Sequence, residues 1–156
     1  MIFEQLFDDK SSTYTYVIAN GKGREALIID PVIEHSDHYI KVLEDLELKL
    51  VKVIDTHVHA DHITGLNELS QRTGCTKVMG ENWKSEVIDL KVKDEEKIKT
   101  EKIDLKVIYT PGHTDDSYCF IMKDSIFTGD TLLINGTGRT DFQNGSPHDA
   151  YNSLFN

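Results

Sequence analysis

The stretch that most restricts this chain is Asp55-Thr56-His57-Val58-His59-Ala60-Asp61-His62, because of what stands on either side of it. Before it, Leu48 to Ile54 is a nearly continuous apolar run, as expected of a strand buried on both faces. After it, Ile63, Leu66 and Leu69 recur at helical spacing until Thr73-Gly74 stops the helix. Strand, polar elbow, helix is the order in which α/β proteins place functional groups at the carboxyl end of a strand. The chain therefore reads as α/β with a site at that elbow.

The elbow has the composition of a metal site. His57 and His59 are two residues apart, so on an extended segment their side chains project the same way. Asp61 and His62 are expected to begin the following helix and turn back toward the same point. Neutral imidazole and ionised carboxylate are what a divalent cation binds. A solvated loop would use Ser, Asn, Lys and Glu, and seldom three histidines.

Two shorter clusters follow, Thr110-Pro111-Gly112-His113-Thr114 and Phe127-Thr128-Gly129-Asp130-Thr131, each at a strand end. Alone, either reads as a turn. Beside the first cluster they make three strand ends, each delivering a ligand type. His35, His38 and His148 lack such company and read as surface residues.

The rest of the chain frames these clusters. Ser12 to Ala19 and Glu25 to Asp30 read as strands paired in a hairpin across Asn20-Gly21-Lys22-Gly23. Tyr39, Val42, Leu43, Leu46 and Leu50 follow at helical spacing, with Ser36 or Asp37 as cap. Cys75 to Met79, Leu105 to Thr110, Tyr118 to Met122 and Ser125 to Thr128 read as further strands, and Lys91 to Lys102 as a solvated loop with an edge strand. Ser146-Pro147-His148-Asp149 starts a last helix in capping-box fashion, with an apolar stripe of Ala150, Tyr151, Leu154 and Phe155. The pattern is still running at Asn156, so further sequence is expected, and the uncovered stripe invites pairing as a homodimer.

With 156 residues the chain is long enough for one domain, 1–156. Its formal net charge of −10 repels phosphate backbones, which excludes nucleic acid as a partner. No basic amphipathic patch or long apolar run suggests a membrane. Met1 to Gln5 lacks the features of a signal peptide, and Cys75 and Cys119 read as two reduced, buried thiols; both point to a cytoplasmic location.

His-x-His-x-Asp-His, a later Gly-His-Thr and a later Gly-Asp, in that order, resemble the metallo-β-lactamase superfamily. Within it the resemblance is to the persulfide dioxygenases, a branch related to glyoxalase II. It is carried by Thr13-Tyr14-Thr15-Tyr16, Ile29-Asp30-Pro31-Val32, Thr56 to Gly65, Pro111 to Thr114, Gly129 to Leu133, and above all Gly138-Arg139-Thr140-Asp141-Phe142-Gln143 with Gly145. A glyoxalase II more often has His at the position of Val58 and does not usually carry the GRTDFQ segment.

The resemblance implies an αββα sandwich, incomplete at its C-terminus, since members of the family continue past this point with further strands, a further second-site histidine and much of the thiol pocket. It implies one Fe(II) per chain held by His57, His113 and Asp130, with zinc as the alternative metal. Glutathione persulfide and O2 would be the substrates, giving sulfite and glutathione. His59, Asp61 and His62 would then be the remnant of a second metal site, with Asp61 and His62 orienting ligands or ordered water. Arg139 would position the acidic substrate or, in preference, brace the metal loop through Asp141. Asp61, His62 and Arg139 are thus the candidate catalytic residues. Two alternatives stay open: a glyoxalase II-like thioester hydrolase with two metal ions, and a truncated, non-catalytic domain that binds metal or dimerises.

Overall fold

In the computed structural model, which describes residues 1–84 and 86–155, two β-sheets are stacked face to face. The first contains, in spatial order, β1 (Ile2–Asp8), β2 (Thr13–Ala19), β3 (Glu25–Ile29), β4 (Lys49–Ile54), β5 (Thr76–Gly80) and β6 (Leu90–Val92). β1, β2 and β3 are antiparallel, whereas β3 to β6 run parallel. The second sheet is antiparallel, ordered β10 (Ser125–Phe127), β9 (Tyr118–Met122), β8 (Asp104–Tyr109), β7 (Lys97–Lys99). The hairpin expected across Asn20–Gly23 is β2–β3, with Ala19 opposite Ala26.

Side chains alternate faces along a strand, and β3 shows what that does here. Leu27 and Ile29 point between the sheets, into a core with Ile18, Ile54, Val78, Leu105 and Phe120. Ala26 and Ile28 point outward, under α1 (Ser36–Asp45) and α2 (Leu66–Thr73), beside Tyr39, Leu43 and Leu69. Both faces of the first sheet are covered at its centre, which is why β3 and β4 are mostly apolar, with Ala26 to Ile29, Leu50, Val53 and Ile54 all buried. The charged segment 91–102 supplies an edge strand to each sheet, β6 and β7, and the intervening residues are exposed.

Three local expectations are corrected. Neither Ser36 nor Asp37 caps α1: His35 holds the N-cap position without a side-chain bond, and Ser36 Oγ donates to Ile33 O at 2.7 Å. The 3-10 turn Ile33–His35 has already wound the chain, so a capping side chain has no separate task. Leu46 closes α1, and Leu50 belongs to β4.

Asp61 and His62 do not begin α2, and Ile63 lies outside it with most of its surface exposed. The segment is pinned to residues 31–33 instead: Ile33 N donates to Ile63 O at 2.9 Å and Gly65 N to Pro31 O at 2.7 Å. These bonds hold the elbow open until Gly65, and α2 runs from Leu66 to Thr73, where Gly74, with a φ of +73°, closes it in the left-handed conformation.

The last helix, α3 (Pro147–Phe155), begins as expected, with Asp149 N donating to Ser146 Oγ at 3.2 Å. The expected end at Asn156 lies outside the described residues. Its apolar stripe is divided: Ala150 packs on Gly112 so closely that no side chain fits there, and Ser153 Oγ donates to Pro111 O. Tyr151 and Phe155 remain exposed, their ring centroids 4.9 Å apart. Among the described residues no helix is long and apolar enough to cross a membrane.

Candidate metal centre

Three loops at the same end of the sandwich bring His57, His113 and Asp130 together. His57 follows β4, His113 follows β8, and Asp130 follows β10. One ligand atom from each lies within 4.8 Å of the others. His113 Nε2 is 3.4 Å from Asp130 Oδ2, and the rings of His57 and His113 are 5.0 Å apart, edge to face.

Both histidines are oriented through their other nitrogen. His113 Nδ1 donates to the backbone oxygen of Arg139 at 2.8 Å. His57 Nδ1 is 2.9 Å from Thr56 Oγ1, and that hydroxyl donates to Asp30 Oδ2 at 2.9 Å, so it accepts from His57. Each ring therefore keeps Nε2 uncommitted, the arrangement by which outer partners fix a metal-binding tautomer. Two glycines let the loops close this tightly. A side chain on Gly129 (φ +46°) would strike Thr56, and one on Gly138 would strike the His113 ring.

Next to the triad, His59, Asp61 and His62 form a second group, also within 4.8 Å. The His59 ring lies 4.2 Å from those of both His57 and His62. Its Nε2, however, is committed to Asp30 Oδ1 at 3.2 Å. His62 Nε2 is buried and has no hydrogen-bond partner among the described residues. A buried orphan nitrogen suits a lone pair held for a cation or an ordered water. The donor types and the orphan together fit a metal ion.

The electrostatics follow from burial. Burial, with the charge of His59 beside it, lowers His57 to about 3, so its imidazole is neutral and its lone pair available. Burial also opposes charge on His59, but the hydrogen bond and charge of Asp30, with Asp55 and Asp61, raise it to about 9. Burial drives Asp55 up to about 7 and raises Asp130. Asp30 is buried too, yet its bond to His59 holds it below the ordinary carboxylate range. Burial and the His59 charge lower His62.

These shifts make a pH prediction for the metal-free protein. A group lowered on folding contributes stability above its unfolded pKa and loses it as pH falls through the folded one. His57 therefore contributes above pH 6.5 and ceases to between 6.5 and about 3. Asp30 and Asp8 act the same way over the carboxylate range. Asp55, raised to about 7, acts oppositely: its contribution is present at low pH and lost by pH 7. Asp130 is raised as well and acts with Asp55, but His62 and Asp61 are lowered and act with His57, Asp30 and Asp8. The lowered groups prevail, so thermal unfolding should show Tm falling from pH 6.5 to 3. A flat profile would contradict these assignments.

Of the other histidines, His38 and His148 are exposed as expected. His35 is not a lone surface residue: its Nε2 is 2.8 Å from Asp8 Oδ1, because the β1–β2 turn folds against the start of α1. Arg139 grips Asp141 in a two-pronged contact, Nε to Oδ1 at 2.7 Å and an Nη to Oδ2 at 3.1 Å. This fork is exposed, and Arg139 reaches the ligands only through its backbone oxygen. Sequence reasoning quoted Asp30 only as a strand end and within a motif and gave it no site role, yet its carboxylate joins Thr56 and His59. The signal was there, an acid closing a strand ahead of Pro31. Thr13 was quoted only within a motif, yet it touches both Asp61 and His62. A cleft of about 460 Å³ opens on the site between the β1–β2 turn and residues 128–134, with Thr13, Tyr14, Asp61, Asp130 and Leu132 among its walls.

Against known families, residues 8–155 match the metallo-beta-lactamase superfamily. The chain belongs to that superfamily. Its metallo-β-lactamase fold is paralleled in the crystal structure of ETHE1 from Myxococcus xanthus, with a TM-score of 0.95 and 46% identity over 99% of this chain and 68% of that one. The mitochondrial persulfide dioxygenase ETHE1 of Mus musculus is 39% identical over 99% of this chain. A hydroxyacylglutathione hydrolase of Pelagibacter ubique is 34% identical over 90% of it. The chain spans 61% of the mouse relative's length and 59% of the hydrolase's.

Proposed function

We propose that these residues belong to a persulfide dioxygenase with one Fe(II) held by His57, His113 and Asp130, which oxidises glutathione persulfide with O2 to sulfite and glutathione. The observation that carries it is the convergence of His57, His113 and Asp130, a two-histidine, one-carboxylate set whose two imidazoles are each held by Nδ1 with Nε2 turned to the common point. Its likeness to ETHE1 proteins supports the same choice of substrate. Zinc is the alternative ion for these donors.

Iron bound there would supply a seat for the persulfide sulfur and the electrons that activate dioxygen. The protein's part is placement. Thr56 and the Arg139 carbonyl hold the two imidazoles by Nδ1, and Gly138 N holds the Asp130 loop by a 2.8 Å bond to its backbone oxygen. Asp61 and His62, beside the triad and lining or neighbouring the cleft, orient ordered water and take up protons. Arg139 braces its loop through Asp141. Residues 1–156 act as one metallo-β-lactamase-like domain. Two buried free thiols suit a reducing compartment, and we place the protein in the cytoplasm.

A second reading has its own observation, the His59–Asp61–His62 group, which could hold a second ion as a thioester hydrolase would need. Metal analysis and oxygen uptake separate them. Ferrous loading should give about one iron per chain and oxygen consumption with glutathione persulfide. About two metals with thioester hydrolysis and no oxygen uptake would establish the hydrolase. Pairing of two copies through Tyr151 and Phe155, the non-catalytic reading, predicts a dimer in sedimentation, and a monodisperse monomer would remove it.

A further inference from the structure

His113 and Asp130 stand on two different loops, and residues 138 and 139 tie both from one side. Gly138 N donates to Asp130 O at 2.8 Å, and Arg139 O accepts from His113 Nδ1 at 2.8 Å. On the buried side the same two loops are tied again, by groups that touch neither imidazole. Thr110 follows β8, three residues before His113, and Thr131 comes directly after Asp130. Their hydroxyl oxygens are 3.1 Å apart, and Thr131 Oγ1 donates to Thr110 O at 3.4 Å. On β9, between the two loops, Cys119 Sγ is 3.3 Å from Thr110 Oγ1 and donates to Thr128 O at 3.7 Å. All three side chains are buried.

We infer that Thr110, Thr131 and Cys119 form an inner latch that positions the Asp130 carboxylate against His113 at the metal centre. One assignment of protons satisfies every group. The thiol donates to Thr128 O, Thr131 donates to Thr110 O, and the Thr110 hydroxyl donates to Thr131 Oγ1, with Cys119 Sγ as its other acceptor.

Asp130 depends on such a device more than the histidines do. Each imidazole is turned by a bond at Nδ1, whereas the Asp130 carboxylate meets His113 Nε2, itself a ligand, at 3.4 Å. Its placement therefore comes from the backbone on either side. Beyond Thr131 the chain continues through Leu132, Leu133 and Ile134, all exposed, so burial does not anchor that end of the loop. Hydroxyls taken out of water hold their partners, because parting would leave polar atoms unpaired. Their bonds are also directional, so they fix the spacing of the two loops where apolar packing would only bring them near. The inference rests on His113 and Asp130 being ligands of one ion, and not on which reaction that ion serves.

The test measures metal affinity, by chelator competition, in the parent, Thr131→Val, Thr131→Ser, Thr110→Val and the double valine variant. The Tm of each metal-free protein is measured beside it. Valine has the shape of threonine without the hydroxyl, and Thr110 keeps Cys119 Sγ as an acceptor. The metal-free Tm of Thr131→Val should therefore fall by no more than about 4 °C, the effect of one lost hydrogen bond in a chain of this size. Its Fe(II) affinity should fall about tenfold to a hundredfold, and the visible bands of bound Co(II), which report ligand geometry, should shift. Thr131→Ser should restore both. The double variant should lose no more than the larger single loss, as expected of groups acting as one pair. Unchanged affinity and spectrum in Thr131→Val, or a loss in Thr131→Ser equal to that in valine, would overturn the latch. Thr110→Val breaks the same bond and decides the matter if Thr131→Val does not fold. A parent that binds metal but consumes no oxygen with persulfide fails the dioxygenase proposal alone, and these affinities still judge the latch. If Asp130→Ala binds metal as the parent does, the ligand assignment and the latch fall together.

Discussion

Replacing His113 or Asp130 by alanine should strip the protein of iron and of oxygen uptake together, whereas His59→Ala should keep most of its iron. The asymmetry follows from what each side chain touches. His113 and Asp130 put donor atoms 3.4 Å apart at the same point, and His113 is already turned by its bond to the Arg139 carbonyl. Removing either leaves a two-donor set, which holds a divalent ion far less firmly than three. The loss should exceed the roughly 10–100-fold that changes to outer partners produce. His59, by contrast, falls outside that group, with Nε2 bonded to Asp30 and its free donor beside Asp61 and His62. Its removal should cost affinity on the outer-partner scale and should lower stability, because Asp30 is left buried with less to offset its charge. Metal analysis of the purified variants decides the matter. Complete loss of metal in His59→Ala would place that imidazole among the ligands and favour the two-metal hydrolase.

How much of this could be seen in the chain itself depended on whether the cause was local. The strands were legible because burial on both faces leaves an apolar run, uninterrupted in Ala26 to Ile29 and broken only by Lys52 in Leu50 to Ile54. The three ligand clusters were legible together because the first crowds three histidines and two aspartates into eight residues, and beside it the two later Gly-His and Gly-Asp turns gain a common purpose. The start of α2 was not, since the spacing of Ile63, Leu66 and Leu69 is helical and only the bonds from Ile63 and Gly65 to residues 31–33 delay it. His35 was misjudged for the same reason. Its partner Asp8 is 27 residues away, brought near by the pairing of β1 with β2. Long-range support of this kind leaves no periodicity to read.

Asp30 is where that hidden support is concentrated, and Asp30→Ala should be the most damaging change outside the ligands. Its Oδ1 accepts from Thr56 N at 2.7 Å and His59 Nε2 at 3.2 Å, and its Oδ2 from Thr56 Oγ1 at 2.9 Å. Its backbone oxygen accepts from Thr15 Oγ1, and its φ of +50° is one that Asp and Asn tolerate better than most residues. Alanine would leave His59, which the acids around it keep protonated, buried without its nearest counter-charge. Breaking a buried pair on one side costs about 3–5 kcal/mol, a large part of what holds a domain together. The Thr56 hydroxyl would lose its acceptor and be free to turn, releasing the His57 ring, so iron affinity should fall as well, by roughly 10–100-fold. Asp30→Asn separates the two effects. Asparagine keeps the φ angle and an acceptor oxygen for Thr56 but removes the charge that faces His59. It should retain more iron than Asp30→Ala while still losing stability, most of all between pH 3.8 and 6.5, where the ion pair contributes in full, and less as pH rises toward 9. Chemical denaturation and iron content, measured on both variants, test the two parts independently. Equal iron loss in Asn and Ala would show that charge, and not the Thr56 bond, holds His57 in place.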